Sequence, residues 1–356
     1  MKKFLALLLV FALLALSLAA CSPVEPDGGD AAGGNTPGND AGTNDDTSDK
    51  ETEGTAKTTI RLAGMTGPTS IGMAKLLADN NAGTAANEYS FTLAADGAAI
   101  KTKLLNGEVD VAAIPANLAA ALHKATGGKI VLLAVNTLGV VSLIEKGNTV
   151  ESFADLRGKT VFAPVSAKGA IPDLVFNYLL KQNGMDPAND LTIEWVEASA
   201  LAAKLKTVEG AVALSPQPNA TALLKNVEGA REAINLNDAW HALENGSEYI
   251  TGVLVCRKAF LEQNTAAVNA MLTEYEASIR YANEHVSETA ELVRDFRILE
   301  LSSEILVNAI PACHISFMAG AEMKSAVSTY LDLLLPLSPA AFGGVKPDDS
   351  FYYIGQ

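Results

Sequence analysis

Four short runs in the 356-residue chain carry side chains that could hold a small solute: MTGPTS at 65–70, PAN at 115–117, PVSAKG at 164–169 and SPQPN at 215–219. Each follows a short apolar run and precedes a helical pattern. A helix start leaves unpaired N–H groups and a partial positive charge, and hydroxyls or amides there can bond a solute. The candidate ligand-binding residues are therefore Thr66, Gly67, Thr69, Ser70, Pro115, Asn117, Ser166, Lys168, Gly169, Ser215, Gln217 and Asn219, with Trp240 added from the polar stretch NDAWHALENG. Each has a plainer account when taken singly. Ser70, Asn117 and Asn219 read as ordinary helix caps, Gly67-Pro68 as an ordinary turn, Lys168 as a solvated lysine and Trp240 as core. The functional case rests on the four loops acting together.

Other chemistries fit less well. GMTGPTSIG is not GxGxxG and lacks the GK[ST] ending with which a phosphate-binding loop holds its ligand. Ser70 and Ser166 have no histidine nearby in sequence, a weak argument because triads assemble from distant residues. The carboxylates are scattered, and Asp173, just after Pro172, reads as a first-turn helix acid. No catalytic residue is assigned. The four histidines, His123, His241, His285 and His314, stand far apart and there is no CxxC or HExxH, so no metal site and no cofactor are expected. A net charge of −15 without a basic cluster argues against nucleic acid as a partner.

The elements that must position these loops alternate. TIRLA, YSFTLA, VDVAAI and KIVLLAV read as strands, separated by helical patterns at Ile71–Asn80, Ala99–Asn106 and LAAALHKA. A second series follows LGVVSLIEKG: TVFAP, LTIEWV and GAVAL as strands, with helices at Asp173–Asn183, Ala200–Val208 and Ala220–Asn226. GVLVC then leads into helices at Phe260–His285, Glu288–Phe296, Ser302–Ala309 and Ala321–Leu335. Alternation of this kind implies a parallel sheet covered by helices on both faces. In such sheets ligands bind at the carboxyl edge of the strands, where all four loops emerge. Two loops belong to each series, so two lobes would face each other across a cleft.

The amino-terminal part sets the expected location. Lys2-Lys3, an apolar run to Ala20 and LAAC have the order of a secretory signal. The run is short for a membrane span. Residues 22–57 hold nine acids, two lysines and no aromatic residue, which reads as a disordered acidic linker. Cys256 and Cys313 each lie in apolar company, which suits two buried thiols better than a disulfide.

With its LAAC box, acidic spacer and two α/β series, the chain resembles an extracytoplasmic solute-binding lipoprotein of an ABC importer, and more closely the nitrate/sulfonate/taurine and thiamine-precursor binding group. IKTKLLNGEVDVAAIPANLAAAL is similar to that group's helix and G-x-x-D ahead of a buried strand. FADLRGKTVFAP resembles its DL-x-GK entry into the second lobe. LSPQPNATAL resembles its P-x-P loop, with Gln217 where an acid usually stands, and VCRKAFLEQNTAAVNAMLTEYEASIRYANEH resembles the helical return.

The resemblance implies a periplasmic-binding-protein-like, type II α/β fold. It divides the chain into a signal peptide (1–20), lipidated Cys21 with its linker (21–57), a first lobe (58–138 with 252–356) and a second (139–251). Hinges are expected near Asn136–Leu138 and Tyr249–Gly252. It also implies a monomer, lipid-anchored at the extracytoplasmic face of the cell membrane. That monomer captures a small solute and delivers it to a membrane permease driven by an ATPase. An anionic or zwitterionic solute suits helix starts, and a neutral heteroaromatic or amide-bearing one suits loops without arginine. The alternatives are an exported enzyme on the same bilobal fold, as in some thiamine- and menaquinone-pathway enzymes, and a surface receptor without a small ligand.

Overall fold

The computed structural model describes residues 57–355, so the signal-like stretch, Cys21 and nearly all of the spacer lie outside the described residues. The chain first lays down β1 (Thr59–Met65), α1 (Ala74–Asn81), β2 (Glu88–Ala94), α2 (Gly97–Leu105), β3 (Val111–Pro115), α3 (Ala116–Ala125) and β4 (Ile130–Thr137). A second set comprises β5 (Val141–Lys146), β6 (Thr160–Pro164), α4 (Ile171–Gln182), β7 (Thr192–Val196), α5 (Leu201–Thr207), β8 (Val212–Pro216), α6 (Asn219–Asn226), β9 (Ala230–Asn235) and α7 (Leu236–His241). Then β10 (Gly252–Arg257) leads into α8 (Lys258–Gln263), α9 (Thr265–Glu284), α10 (Val286–Asp295), α11 (Ser303–Ala312), β11 (Ile315–Ala319) and α12 (Gly320–Leu334).

The strands make a six-stranded sheet in the order β11-β4-β10-β3-β1-β2 and a five-stranded sheet in the order β7-β6-β8-β5-β9. Neither is wholly parallel, which corrects the sequence expectation. β1, β2 and β3 run parallel, as do β6, β7 and β8. β10 and β5 run against their neighbours. The reason is topological. β5 and β10 each cross from the other sheet and enter at the carboxyl edge, β5 directly after residues 138–140 and β10 after α7 and residues 242–251, so each runs back against its neighbours.

Local signals explain most elements. Asp96 caps α2 by accepting the Ala99 N–H at 2.9 Å, and every residue of β4 is buried, as expected for an apolar run covered on both faces. The helix expected over 260–285 breaks at Asn264, whose backbone leaves the helical region and whose Nδ2 donates to the Phe260 carbonyl. Local bonding of this kind competes with the helix ladder. β9 and β11, which the apolar pattern does not reveal, are edge strands and mostly half-exposed.

One apolar core runs through both sheets and includes Ile114 and Val135 from the first and Leu143, Val161 and Leu214 from the second. A second core lies between the first sheet and α1, α9 and α11, around Leu62, Leu133, Tyr275 and Leu306. A third, around Phe162, Leu205 and Leu223, backs the second sheet. Each such aliphatic side chain contributes about 1.5–3 kcal/mol on burial. Cys256 and Cys313 are free and buried, as the sequence suggests.

Two buried carboxylates pin the sheets. Asp110, the acid of the G-x-x-D run, accepts Nε (2.8 Å), Nη2 (2.6 Å) and the backbone N–H (3.0 Å) of Arg61, and Nη2 of Arg257. Burial alone would push its pKa up, and the bonds from both arginines hold it below the usual carboxylate range. It therefore ties β1, β3 and β10 together. Glu145 in β5 plays the same part, accepting from Thr149, Val150 and Arg231.

Candidate functional site

Strand register places the four loops. β10 is antiparallel to both β3 and β4, so β3 and β4 end at the same edge of the first sheet, where parallel β1 ends too. MTGPTS and PAN emerge there. In the second sheet Val141, the first residue of β5, pairs with Pro216 at the end of β8, and β6 is parallel to β8. PVSAKG and SPQPN therefore emerge at the edge where β5 begins. Only residues 138–140 separate β4 from β5, a reach of roughly 10 Å. The loop-bearing edges of the two sheets thus abut at this connection.

Both connections between the sheets are tightly held. The Thr251 N–H donates to the Thr137 carbonyl at 3.0 Å and the Ala116 N–H to the Thr251 carbonyl at 3.1 Å. Gly252 pairs with Pro115 and with Thr137. His314 braces the other connection. Its carbonyl accepts the Leu138 N–H at 3.1 Å, and its Nδ1 meets the Gly139 carbonyl. At Gly139 a Cβ would lie 2.4 Å from Tyr249 Cδ1 and 2.5 Å from Asn237 Oδ1, and at Gly252 a Cβ would lie 2.4 Å from Thr69 Cγ2.

The expected site residues separate into engaged and available groups. Ser70 is fully buried and donates to the Met65 carbonyl at 2.7 Å, closing the turn around Gly67, whose φ of 137° suits glycine. The Thr69 carbonyl accepts from Asn136 Nδ2 at 3.1 Å. Gln217 is buried with its Oε1 accepting from the Thr221 N–H and hydroxyl, and the Ser215 hydroxyl is buried against the Pro216 carbonyl. Thr66, Ser166, Lys168, Gly169 and Asn219 are exposed. The Gly169 N–H donates to Asp173 at 2.8 Å, and Lys168 Nζ stands 5.8 Å from the Trp195 ring.

Trp240 is fully buried, packs with Tyr178, Tyr249 and Tyr330, and commits its indole N–H to the Ser247 carbonyl at 2.8 Å. It offers a solute no polar partner. The capping account of three candidates is also corrected. Gly67, Pro115 and Pro218 hold the cap positions, so Ser70, Asn117 and Asn219 fall inside their helices and cap nothing.

Asn117 stands apart. Its Nδ2 faces the Ala341 carbonyl at 3.5 Å, while its Oδ1 is buried without a partner. Four residues that the loop argument missed share that condition near the connections: Asn237 through Oδ1, Tyr249 and Tyr330 through their hydroxyls, and Thr251 through Oγ1. Burial pushes the pKa of both tyrosines far up, and the neighbourhood of Tyr249 raises that of Tyr330 further, so both hydroxyls stay neutral. The Thr251 and Tyr249 hydroxyls face one another closely enough for Thr251 to offset part of the effect of burial on Tyr249, without full hydrogen-bond geometry. Buried polar atoms are nearly always paired. The only signal that could have found them was Tyr249 and Thr251 at an expected hinge; Tyr330 arrives from α12, far along the chain. Elsewhere, an open hollow of about 350 Å³ lies along α4, lined by Gly169, Asp173, Asn177, Lys181, Asp186 and Leu337 among others.

Residues 88–289 match the family described as NMT1/THI5 like. No curated protein matches the sequence. Among solved structures, an ABC transporter protein from Parabacteroides distasonis is 22% identical with a TM-score of 0.68, over 84% of this chain and 100% of that one. The periplasmic aliphatic sulphonate binding protein SsuA of Escherichia coli is 15% identical with a TM-score of 0.65, over 85% and 94%. The periplasmic nitrate-binding protein NrtA of Synechocystis PCC 6803 is 15% identical with a TM-score of 0.55, over 80% and 84%. These likenesses show the fold, a periplasmic-binding-protein-like, type II arrangement of two mixed α/β sheets.

Proposed function

The chain belongs to the NMT1/THI5-like family, and from that premise we propose that it is the extracytoplasmic solute-binding component of an ABC importer. In this reading residues 58–138 with 252–356 form one lobe and 139–251 the other. They hinge near 136–138 and 249–252 and close on one small solute, which is then delivered to a membrane permease and its ATPase. Cys21 carries the lipid that holds the protein, as a monomer, at the outer face of the membrane. The protein binds without catalysis. Of the expected contacts, Asn117 is best supported because its oxygen is buried and unpaired. Thr66, Ser166, Lys168 and Asn219 form the exposed rim.

One observation carries the proposal: two sets of strand-to-helix loops emerge at edges joined by a three-residue connection, and Thr137, just before that connection, bonds Thr251 at the end of the return one. A ligand that bonds both lobes does so only when they are closed, and therefore shifts the open–closed equilibrium. A ligand that binds only the folded state at 100 times its Kd adds about 2.7 kcal/mol. In a broad metabolite screen on ligand-freed protein, one compound should raise the thermal midpoint by several degrees at 1:1 stoichiometry. A screen without any shift contradicts the proposal. Turnover of the bound compound, lost in His241→Ala or Asp173→Ala, would install the enzyme reading instead.

A further inference from the structure

A buried asparagine joins the first solute loop to the strand that leads into the hinge. Where β10 pairs with β4, Gly252 faces Thr137 and Val253 faces Val135, so Asn136 is the extra residue of a β-bulge. A bulge re-aims a side chain, and here the amide turns toward MTGPTS. Asn136 is 1% exposed, and its Nδ2 donates both to the Thr69 carbonyl and to the Tyr275 hydroxyl of α9, at 3.1 Å each. Its Oδ1 accepts from Thr137 Oγ1 at 3.0 Å. The donors of the amide are therefore both committed.

The return connection presses on the same point. The Thr137 carbonyl accepts the Thr251 N–H. At Gly252 a Cβ would lie 2.6 Å from Asn136 Oδ1 and 2.4 Å from Thr69 Cγ2. Loop, bulge and return connection thus meet in one closely packed place.

Other bonds around the loop have different work. The Ser70 hydroxyl donates to the Met65 carbonyl and the Ser70 N–H to the Gly67 carbonyl, which shapes the turn from within. Beyond the loop, Ser278 of α9 donates to the Gly72 carbonyl at 2.6 Å and accepts the Leu76 N–H at 3.0 Å. That pair docks α1 on α9, inside the first lobe. The bond from Asn136 differs because it comes from the last turn of chain before the crossing to the second lobe.

We infer that Asn136 is a positioning residue of the solute site: it sets where the MTGPTS loop stands relative to the second lobe, by holding Thr69 to the strand that ends in the hinge. Buried as it is, it acts through Thr69 and not on the solute. The inference rests on the bilobal solute-binding reading and deepens it by naming what fixes the loop to the hinge.

The test uses no solute, so its failure is distinct from failure of that reading, which the metabolite screen decides. Spin labels go on exposed Thr66 and Asn219, one loop of each lobe, in ligand-freed full chain. Asn136→Ala removes the donor to Thr69, and Asn136→Leu removes it with more of the volume kept, should the alanine variant not fold. Tyr275→Phe is the reference, because it takes away the other partner of the same Nδ2 and leaves the Thr69 bond in place. Pulsed electron–electron distance measurement should give a shifted, broader distribution in the Asn136 variant and the wild-type distribution in Tyr275→Phe, with urea titration showing both folded. A distribution unchanged in the Asn136 variant, or equally altered by Tyr275→Phe, shows that the asparagine serves core packing alone and overturns the inference.

Discussion

The side chains that do most for the fold are poor candidates for function, and the reverse also holds. Asp110 is 1% exposed yet binds two arginines that are 41% and 24% exposed. Breaking a buried pair costs about 3–5 kcal/mol, and partial exposure of the arginines reduces this to roughly 2 kcal/mol. Asp110→Asn should lower unfolding stability by about that amount in urea titrations at neutral pH. Because its folded pKa is depressed, the contribution is present above the ordinary carboxylate value. It is lost as pH falls through the depressed one. Stability curves of wild type and Asp110→Asn should therefore converge on acidification below about pH 4. The two free thiols give a second residue-level expectation. Burial raises both to about 12, so neither Cys256 nor Cys313 should react with a thiol reagent at pH 8 until denaturant is added.

At the scale of elements, the connections between the sheets are packed so closely that glycine is required. Gly139→Ala and Gly252→Ala would each drive a methyl group to within 2.4 Å of a neighbour, Tyr249 and Thr69 respectively. Overpacking of this kind costs about 1–3 kcal/mol, measurable by chemical denaturation, and affinity for solute should drop in both variants. The parallel cores of the sheets and the loop-bearing edge were legible in the sequence, because VDVAAI, KIVLLAV and GAVAL carry strong apolar runs bounded by turn residues. The antiparallel entry of β5 and β10 was not, because pairing direction follows from where a strand enters its sheet. Asn117 was legible as a loop residue. Its free oxygen was not, since that depends on Ala341, and Tyr330 joins the other unpaired groups only through the packing of α12.

At the scale of the whole molecule, contacts bracket the line where the two sheets meet. Tyr330 of α12 packs on Trp240 of α7, and α11 packs against α6, where Lys225 and Glu304 form an ion pair. An exposed pair is worth about 0.2–1 kcal/mol and is screened by salt. If this pair forms on closure, Lys225→Glu should weaken solute binding several-fold at low salt and little at high salt, and adding Glu304→Lys should restore it in calorimetric titrations. The central claim, that loops of both sheets close on one solute, is tested most directly by pulsed electron–electron distance measurement between spin labels at exposed Thr66 and Ser166. The account predicts a short distance that narrows and sharpens when the bound compound is added to ligand-freed protein. Labels as far apart as the length of the molecule, or a distribution unchanged by a bound compound, would contradict it.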